Sequence, residues 1–377
     1  MRNSLRGQVD PFIVMDVMQA AAEAEAAGRH IIHLEVGQPG TPAPAGARRA
    51  LAEALAQPLG YTVALGLPAL RQGIADLYRR WYGLDLDPAR VVVTPGSSGA
   101  FILAFSALFD AGDRVAMGFP GYPSYRQILR AMSLEPVGIL TRPEDRYQPR
   151  PQDLPDAQGL ILASPGNPSG TVLTVPELAA LTKAAAARGM SVISDEIYHG
   201  LGYDQRCHSA LEVTDEVVVI NSFSKYFSMT GWRVGWMVVP PDMIRTVERL
   251  AQNLFICPPH ASQVAALAAL DCIPEAEANL AAYAENRRLM LEGLPRAGFD
   301  RIAPPEGAFY IYADVSHLTD DSVAFAAEIL EKAGVAVTPG LDFDPLRGHQ
   351  TLRFSYARAT PDIAEGLRRL TAFMAGR

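Results

Sequence analysis

The middle of the chain alternates between short apolar runs and longer stretches in which apolar positions recur with a helical period. Residues 91–93, 160–163 and 216–221 are mostly apolar, which is typical of strands buried on both faces of a sheet, and 191–194 is a further predicted strand. Each run leads through turn-forming residues into the next helical stretch. This alternation predicts an α/β fold with a mostly parallel central sheet and helices on both faces.

Capping residues predict where two of the helices begin. Asp10 and Pro11 suit the N-cap and the first position of a helix that runs to Gly28. Thr174 and Glu177 have the spacing of a capping box, in which each side chain bonds to the backbone of the other.

The pattern changes after about Pro274, where a long charged helix is followed by strands and helices in a different order. This part of the chain is typical of a smaller α+β domain. The predicted elements are a helix at 275–296, a strand at 309–315, a helix after it, strands at 335–337 and 351–356, and a last helix that opens with Thr360 as N-cap and Pro361.

The change of pattern predicts two domains. Residues 41–273 are expected to form the large domain, and residues 274–377 the small C-terminal domain. The N-terminal segment 1–40 is expected to pack with the small domain, so that the large domain is an insertion between two parts of the small one.

Composition excludes several classes of function. The chain has 377 residues and a net charge of −8, which argues against non-specific binding of nucleic acid or of anionic membranes. The three cysteines are widely spaced and have no zinc-binding pattern, so no metal site is expected, and reduced thiols in a cytoplasmic protein are the simplest interpretation. The N-terminus has no apolar signal segment.

Lys225 is the first candidate for chemistry, because it lies among hydroxyl groups with an arginine eight residues later. The run 216–221 precedes it, and 233–239 is predicted to be another buried parallel strand. Lys225 is therefore expected on a loop at the carboxyl end of a strand, where open α/β sheets bind ligands. A solvated lysine in a serine-rich turn is the alternative. A lysine that bonds to a phosphorylated aldehyde explains more of its neighbourhood.

A second group of residues suits the binding of a phosphate. Ser97, Ser98 and Gly99 follow a strand and open a helix, where free N–H groups and the helix dipole attract anions. The hydroxyls expected to join them are those of Ser222 and Ser224, and the guanidinium is that of Arg233.

A third group of residues suits a protonated pyridine ring. Asp195 ends a buried strand, where a carboxylate needs a partner such as a pyridinium nitrogen, although an N-cap or a salt bridge is the alternative. Asn167 and Tyr198 could hydrogen-bond the ring's phenolate oxygen, and Tyr122 could stack on the ring. Asn167 also fits an ordinary turn, and Tyr122 an ordinary packing tyrosine.

With these residues in order, the chain resembles the fold-type I pyridoxal-phosphate enzymes, specifically the class I/II aminotransferase family related to aspartate aminotransferase. The resemblance extends over nearly the whole chain. Its motifs are Gly37-Gln38-Pro39, Tyr61-Thr62, Gly96-Ser97-Ser98-Gly99, Asn167-Pro168-Ser169-Gly170, Asp195-Glu196-Ile197-Tyr198, Ser222-Phe223-Ser224-Lys225, Gly231-Trp232-Arg233-Val234-Gly235 and Arg353-Phe354-Ser355.

The resemblance implies a pyridoxal 5'-phosphate cofactor bound to Lys225 as a Schiff base, and ping-pong transfer of an amino group from an α-amino acid to a 2-oxo acid. It implies that Asp195 and Tyr198 assist the chemistry. Arg353 is expected to clamp the substrate carboxylate, with Gly37 and Asn167 as further substrate contacts.

The resemblance also implies a homodimer. Tyr61 is expected to reach the phosphate in the other subunit.

Two alternatives stay open on sequence. A carbon–sulfur β-lyase or a related eliminating enzyme would use the same lysine. An effector module of a transcription regulator would keep the fold without catalysis, but only about 30 residues precede the first predicted strand, too few for the DNA-binding domain of such a regulator.

The substrate itself cannot be named from the sequence. Phe12, Ile13, Tyr122 and the loop 255–258 are expected to contact the substrate side chain. They are mostly apolar, which favours neutral or aromatic amino acids.

Overall fold

A computed structural model describes residues 2–377. Its α-helices account for most of the regular structure and are distributed along the whole chain. They are α1 (Ile13–Ala26), α2 (Ala45–Ala54), α3 (Pro68–Tyr82), α4 (Gly96–Leu108), α5 (Pro123–Ala131), α6 (Val175–Ala186), α7 (Ile244–Leu254), α8 (His260–Ala269), α9 (Ile273–Arg296), α10 (Ser322–Ala333) and α11 (Thr360–Ala375).

The strands form three sheets. They are β1 (Ile32–His33), β2 (Val91–Thr94), β3 (Arg114–Phe119), β4 (Glu135–Leu140), β5 (Gly159–Ala163), β6 (Ser191–Asp195), β7 (Val218–Ser222), β8 (Gly235–Val238), β9 (Arg301–Ile302), β10 (Tyr310–Asp314), β11 (Val335–Ala336), β12 (Thr338–Pro339) and β13 (Thr351–Ser355).

The central sheet has seven strands in the order β2-β8-β7-β6-β5-β3-β4. All neighbouring pairs are parallel except those that include β8, which runs antiparallel to β2 and β7. The prediction of a mostly parallel sheet is confirmed, but the prediction that 233–239 is a parallel strand is wrong. The connection from β7 to β8 contains a short 3₁₀ turn and no crossover helix, so the chain returns in the opposite direction.

Helices cover both faces of this sheet. Alternate residues of a strand point to opposite sides, so neighbouring residues pack against different helices. Val91 and Val93 pack in one buried cluster with Ile74 of α3, whereas Val92 packs in a second cluster with Phe101 of α4. The apolar runs of the sequence therefore correspond to strands buried on both faces.

The last part of the chain forms a four-stranded antiparallel sheet in the order β12-β13-β10-β9. Beside it, β1 pairs in parallel with β11, so that the N-terminal part of the chain lies against the C-terminal part. The division into 1–40, 41–273 and 274–377 stays a prediction.

Several predicted boundaries need correction. α1 begins at Ile13 rather than after Asp10, and Asp10 binds Gln127 and Arg130 instead of capping a helix. α11 begins at Thr360 itself, one residue earlier than predicted. The capping box between Thr174 and Glu177 is confirmed.

Six of the elements, α2, α7, α8, β4, β9 and β12, were not predicted. β4 contains Pro136 and Gly138, residues that are rare inside strands, and it is tolerated because it forms the edge of the sheet. Within residues 2–377, no helix has both the length and the apolar character needed to cross a bilayer.

Candidate active site

A cavity of about 580 Å³ lies at the edge of the central sheet where the carboxyl ends of β3, β5, β6 and β7 meet. This is the edge at which open α/β sheets bind ligands. The residues that line it are Phe12, Val14, Met15, Met18, Val36, Gly37, Gln38, Ser97, Ser98, Tyr122, Tyr125, Ala163, Pro165, Asn167, Asp195, Ile197, Tyr198, Ser224, Lys225, Thr230, Arg233, Tyr310 and Arg353.

Lys225 projects into this cavity from the loop after β7. Its Nζ donates a hydrogen bond to the backbone oxygen of Gly37 at 2.7 Å. The pKa of Lys225 is lowered to about 8, mainly by burial and also by the positive charges of Arg353 and Arg233, against the opposing effect of Asp195. A buried amine with this pKa is partly neutral near physiological pH and can act as a nucleophile or base.

Asp195, at the end of β6, is the acidic group of the cavity and is 5% exposed. Its Oδ1 accepts from the backbone N–H of Ile197 at 3.1 Å, and its Oδ2 accepts from the hydroxyl of Tyr125. Burial nevertheless raises the pKa of Asp195 to about 6, which is the behaviour of a carboxylate that needs a cationic partner.

Tyr125 was not predicted as a site residue. It lies on α5, three residues after Tyr122, which is the N-cap residue of that helix. The rings of Tyr122 and Tyr125 contact each other edge to face at 5.3 Å. The spacing of the two tyrosines was the signal in the sequence from which Tyr125 could have been predicted as a site residue.

The predicted phosphate-binding residues converge at one corner. Ser97 and Ser98 belong to the first turn of α4, whose free N–H groups face the cavity corner. The Arg233 guanidinium lies so close to Gly96 that a Cβ there would be 2.3 Å from its Nη2. Ser224 also lines the corner.

Gly99 and Ser222 lie behind this corner rather than in the cavity lining. Gly99 packs against the ring of Pro95, where a Cβ would be 2.8 Å from Cδ. The hydroxyl of Ser222 donates to Ser224 Oγ at 2.8 Å and accepts from the Ser224 backbone N–H at 3.0 Å. Ser222 therefore orients Ser224.

Arg353 lies on β13 and is 3% exposed. Its Nη1 donates to Asn167 Oδ1 at 3.0 Å, and its Nη2 donates to the backbone oxygen of Glu35. The guanidinium lies 4.3 Å from the ring centre of Tyr310. Its Nε is buried and has no hydrogen-bond partner within residues 2–377.

Tyr310, also not predicted as a site residue, connects several of these groups. Its hydroxyl lies 2.8 Å from that of Tyr198. A Cβ on Gly37 would collide with the same hydroxyl at 1.7 Å, so only glycine allows this approach. In sequence, Tyr310 is indistinguishable from the core aromatic residues around it.

The other end of the cavity is apolar. Phe12, Val14, Met15 and Met18 line it from α1 and from the residue before that helix. Phe12 contacts Tyr122 edge to face at 6.0 Å. Of the expected substrate contacts, Phe12 and Tyr122 thus line the cavity, but Ile13 does not.

Two predicted contacts lie away from the cavity. Tyr61 is 84% exposed on the surface of this chain. The loop 255–258 packs beside it, with the Thr62 N–H donating to Cys257 Sγ at 3.4 Å.

The residues of the polar end fit pyridoxal phosphate. The cofactor requires an amine for its aldehyde, an acid for its ring nitrogen and an anion site for its phosphate. Lys225 supplies the amine, the buried Asp195 carboxylate supplies the acid, and the corner around Arg233 supplies the anion site. The cavity volume lies within the usual range for cofactor sites, about 300–1,000 Å³.

Comparison with known proteins gives a consistent result. Residues 29–370 match the family described as "Aminotransferase class I and II". A Mycobacterium tuberculosis protein named "Valine--pyruvate aminotransferase" is 49% identical over 99% of this chain and 98% of its own length. A Thermus thermophilus protein named "Aspartate/prephenate aminotransferase" is 33% identical over 95% of each chain.

Solved structures agree. A chain from Silicibacter pomeroyi superimposes with a TM-score of 0.96 at 69% identity and covers 100% of both chains. Aspartate aminotransferase from Thermus thermophilus, solved with maleate, has a TM-score of 0.91 at 32% identity and covers 99% of this chain and 100% of its own.

Proposed function

The chain belongs to the aminotransferase class I and II family, and from that premise we propose which amino acid it uses and which residues act on it. Members of this family use pyridoxal phosphate, so the chain is a fold-type I, pyridoxal-phosphate-dependent aminotransferase that moves an amino group from an α-amino acid to a 2-oxo acid. The curated relatives are aminotransferases, which decides against the β-lyase alternative.

The proposed amino donor has an uncharged aliphatic side chain, such as that of valine, and the proposed acceptor is pyruvate. One observation carries this proposal: within residues 2–377 the cations that line the cavity are Lys225, Arg233 and Arg353, all at its polar end. The opposite end offers methionine, valine and phenylalanine to the side chain. The name of the 49% identical relative supports the same choice over relatives named aspartate aminotransferase at 34% and 28%.

Arg353 is the proposed clamp for the substrate carboxylate. Its side chain is already fixed by Asn167, Glu35 and the ring of Tyr310, so little conformational entropy is lost when a carboxylate binds. The guanidinium lines the cavity beside Lys225 and Tyr310. The backbone N–H of Gly37 is the proposed second contact.

Lys225 is the proposed covalent and acid–base residue. Pyridoxal phosphate, when bound, supplies an aldehyde for an amine and a ring that withdraws electrons from the substrate Cα. Nζ of Lys225 is the amine for that bond. When the substrate amine has replaced it, Nζ can accept the Cα proton, because its lowered pKa keeps part of it unprotonated.

Asp195 and its neighbours are proposed to hold and orient the ring. The Asp195 carboxylate would face the ring nitrogen, held in place by Tyr125 and the Ile197 N–H. Asn167 accepts from Arg353 through Oδ1, which leaves Nδ2 to donate to the phenolate oxygen, beside the hydroxyl of Tyr198. The face of Tyr122 is proposed to stack on the ring.

Ser97, Ser98, Ser224 and Arg233 are proposed to bind the phosphate, with Gly99 and Ser222 behind them. The exposed Tyr61 is proposed to complete this corner in a second copy of the chain, so that a homodimer is the active unit. The mass of the particle in solution, measured for the wild type and for Tyr61→Ala, tests this: a monomer with full activity would refute it.

We also propose a cytoplasmic location. The free thiols of Cys207, Cys257 and Cys272 are consistent with a reducing compartment. Fractionation of the source cells tests this, and recovery in an extracytoplasmic fraction would contradict it.

A panel of amino acids tests the proposed donor. The enzyme loaded with cofactor is mixed with valine, leucine, alanine, aspartate or glutamate, and the conversion of the bound cofactor to its amine form is followed by absorbance. Valine and leucine should exceed aspartate in kcat/KM by at least about tenfold with pyruvate as acceptor. A preference for aspartate would overturn the proposed donor, and continued release of ammonia without any acceptor would overturn transfer.

A further inference from the structure

The first turn of α1 is capped from a distant part of the chain. Phe12, at the N-cap position, makes no side-chain capping bond. Instead, the backbone N–H of Ile13 donates to Asp342 Oδ1 and that of Val14 donates to Asp342 Oδ2, each at 3.1 Å. A carboxylate at this place satisfies two otherwise unpaired donors and complements the helix dipole.

This turn forms the apolar end of the cavity. Phe12, Val14 and Met15 come from it or directly precede it, and Met18 follows one turn later. Met15 is 54% exposed, so its own packing does little to fix it. The position of the wall therefore depends on how the helix start is held.

Asp342 is itself held firmly against the opposite wall. It is 2% exposed, and its backbone oxygen accepts from Arg126 Nη2 at 3.1 Å. The next residue, Phe343, accepts from the Gly121 N–H at 3.1 Å through its backbone oxygen. Arg126 belongs to α5, which follows Tyr122, so one residue connects the two sides of the cavity's apolar end.

A second tie lies just before the helix. Asp10 accepts from Arg130 Nη1 at 2.6 Å and from Gln127 Nε2 at 3.1 Å, both on α5. These groups are exposed, whereas the Asp342 contacts are buried or half-buried. The buried cap is thus the contact that water competes with least.

We propose that Asp342 is a positioning residue that determines side-chain selection, because it fixes the first turn of α1 as the wall against which an apolar substrate side chain packs. The inference rests on the proposed function, in which that side chain is aliphatic. The kcat/KM of an amino acid whose side chain reaches the wall should therefore depend on Asp342. The methyl group of alanine is too short to reach the wall, so kcat/KM for alanine should not depend on Asp342.

Asp342→Ala, with Asp321→Ala as its matched control, tests this inference. Asp321 is the N-cap residue of α10, where its Oδ1 accepts from the N–H groups of Val323 at 3.1 Å and Ala324 at 3.0 Å, and it does not line the cavity. In Asp342→Ala, kcat/KM for leucine should fall by about tenfold while that for alanine stays within about twofold. In Asp321→Ala, the leucine-to-alanine ratio should stay at the wild-type value.

Hydrogen exchange gives a readout that does not depend on turnover. The amides of Ile13 to Met18 should exchange faster in cofactor-loaded Asp342→Ala, and at the wild-type rate in Asp321→Ala. If Asp342→Ala does not fold, Asp342→Asn, which keeps one acceptor oxygen, is measured in the same way and should give a smaller change of the same kind.

The outcomes separate the two proposals. Equal losses for leucine and alanine, or unchanged exchange in α1, would overturn the role of Asp342. A wild-type enzyme with no transfer from any aliphatic amino acid would overturn the proposed donor instead, and the exchange measurement would still decide whether Asp342 holds the helix.

Discussion

The two ends of the cavity differ in their effect on the stability of the fold. At the polar end, burial raises the pKa of Asp195 to about 6 and lowers that of Lys225 to about 8, and Arg353 keeps a buried donor without a partner. At the apolar end, the side chains of Phe12 and Val14 contain no polar group, and the Val14 N–H is bonded to Asp342. The groups that are destabilised in the free protein are those that a cofactor or a carboxylate would satisfy, which is how a binding site differs from a wall.

The largest expected effect comes from removing the amine of the polar end. Lys225→Ala should lower kcat/KM by more than about 10³-fold, because both the covalent bond and the proton transfer depend on Nζ. The chain has three lysines, so borohydride reduction of the loaded enzyme and peptide mapping give a clear result: the label should be at Lys225. Lys183→Ala is the control, and a label at Lys183 would contradict the assignment.

Asp195→Asn tests whether the buried Asp195 carboxylate destabilises the fold. The folded pKa of about 6 lies above the ordinary aspartate value of 3.8, so this carboxyl favours the fold at low pH and loses that contribution as pH rises through 6. Without cofactor, the variant should therefore gain roughly 1–3 kcal/mol over the wild type at pH 8 but not at pH 4, and its affinity for the cofactor should fall. Denaturant unfolding at both pH values measures the first effect.

The neighbour of Asp195 provides the control. Glu196 is also buried, and burial raises its pKa to about 8, but it lies outside the cavity lining. Glu196→Gln should leave cofactor affinity unchanged. The stability difference between Asp195→Asn and the wild type should vary with pH. If it does not, the pKa of Asp195 is not raised in the folded protein.

Arg353→Ala tests the junction between the two ends. Loss of a fixed, charge-assisted clamp should raise KM for the amino acid by about 10–100-fold and leave the cofactor bound. Arg353→Lys should recover only part of the loss, because an ammonium lacks the planar fork. An unchanged KM in Arg353→Ala would exclude this residue as the carboxylate clamp.

The smallest expected effect comes from adding a charge to the apolar end. Met15→Arg places a cation at the rim of the wall, where Met15 is partly exposed, and should shift the aspartate-to-valine ratio of kcat/KM by about three- to tenfold toward aspartate. Met15→Gln has similar length without the charge and serves as control. The same shift in both variants would mean that space rather than charge excludes aspartate.

The two ends also differ in how far the sequence predicts them. The carboxyl ends of parallel strands meet at one edge, so the loops that carry Asn167, Asp195 and Lys225 can be brought together from strand order alone. The predicted cofactor residues therefore lie around one cavity or directly behind it, except Tyr61. Their roles stay predictions.

The apolar end depends on contacts that local patterns do not contain. Asp10 was predicted to cap α1 because it has the right residue type and spacing, yet Asp342 supplies the cap from the other end of the chain. Any acceptor that reaches the free N–H groups will serve, so sequence proximity cannot identify it. The direction of β8 was mispredicted for a related reason: an apolar run indicates burial but not orientation.

The pairing of β1 with β11 has a consequence for synthesis of the protein on the ribosome. Every strand of the central sheet has been translated once Val238 has been added, and the segment with Lys225 with it. Ile32 and His33 are translated far earlier but cannot pair until Val335 and Ala336 have been translated. Arg353 is translated later still. A nascent chain therefore contains the central sheet and Lys225 long before it contains Arg353, the proposed carboxylate clamp, so we expect unfinished chains to be unable to bind an amino acid through that residue.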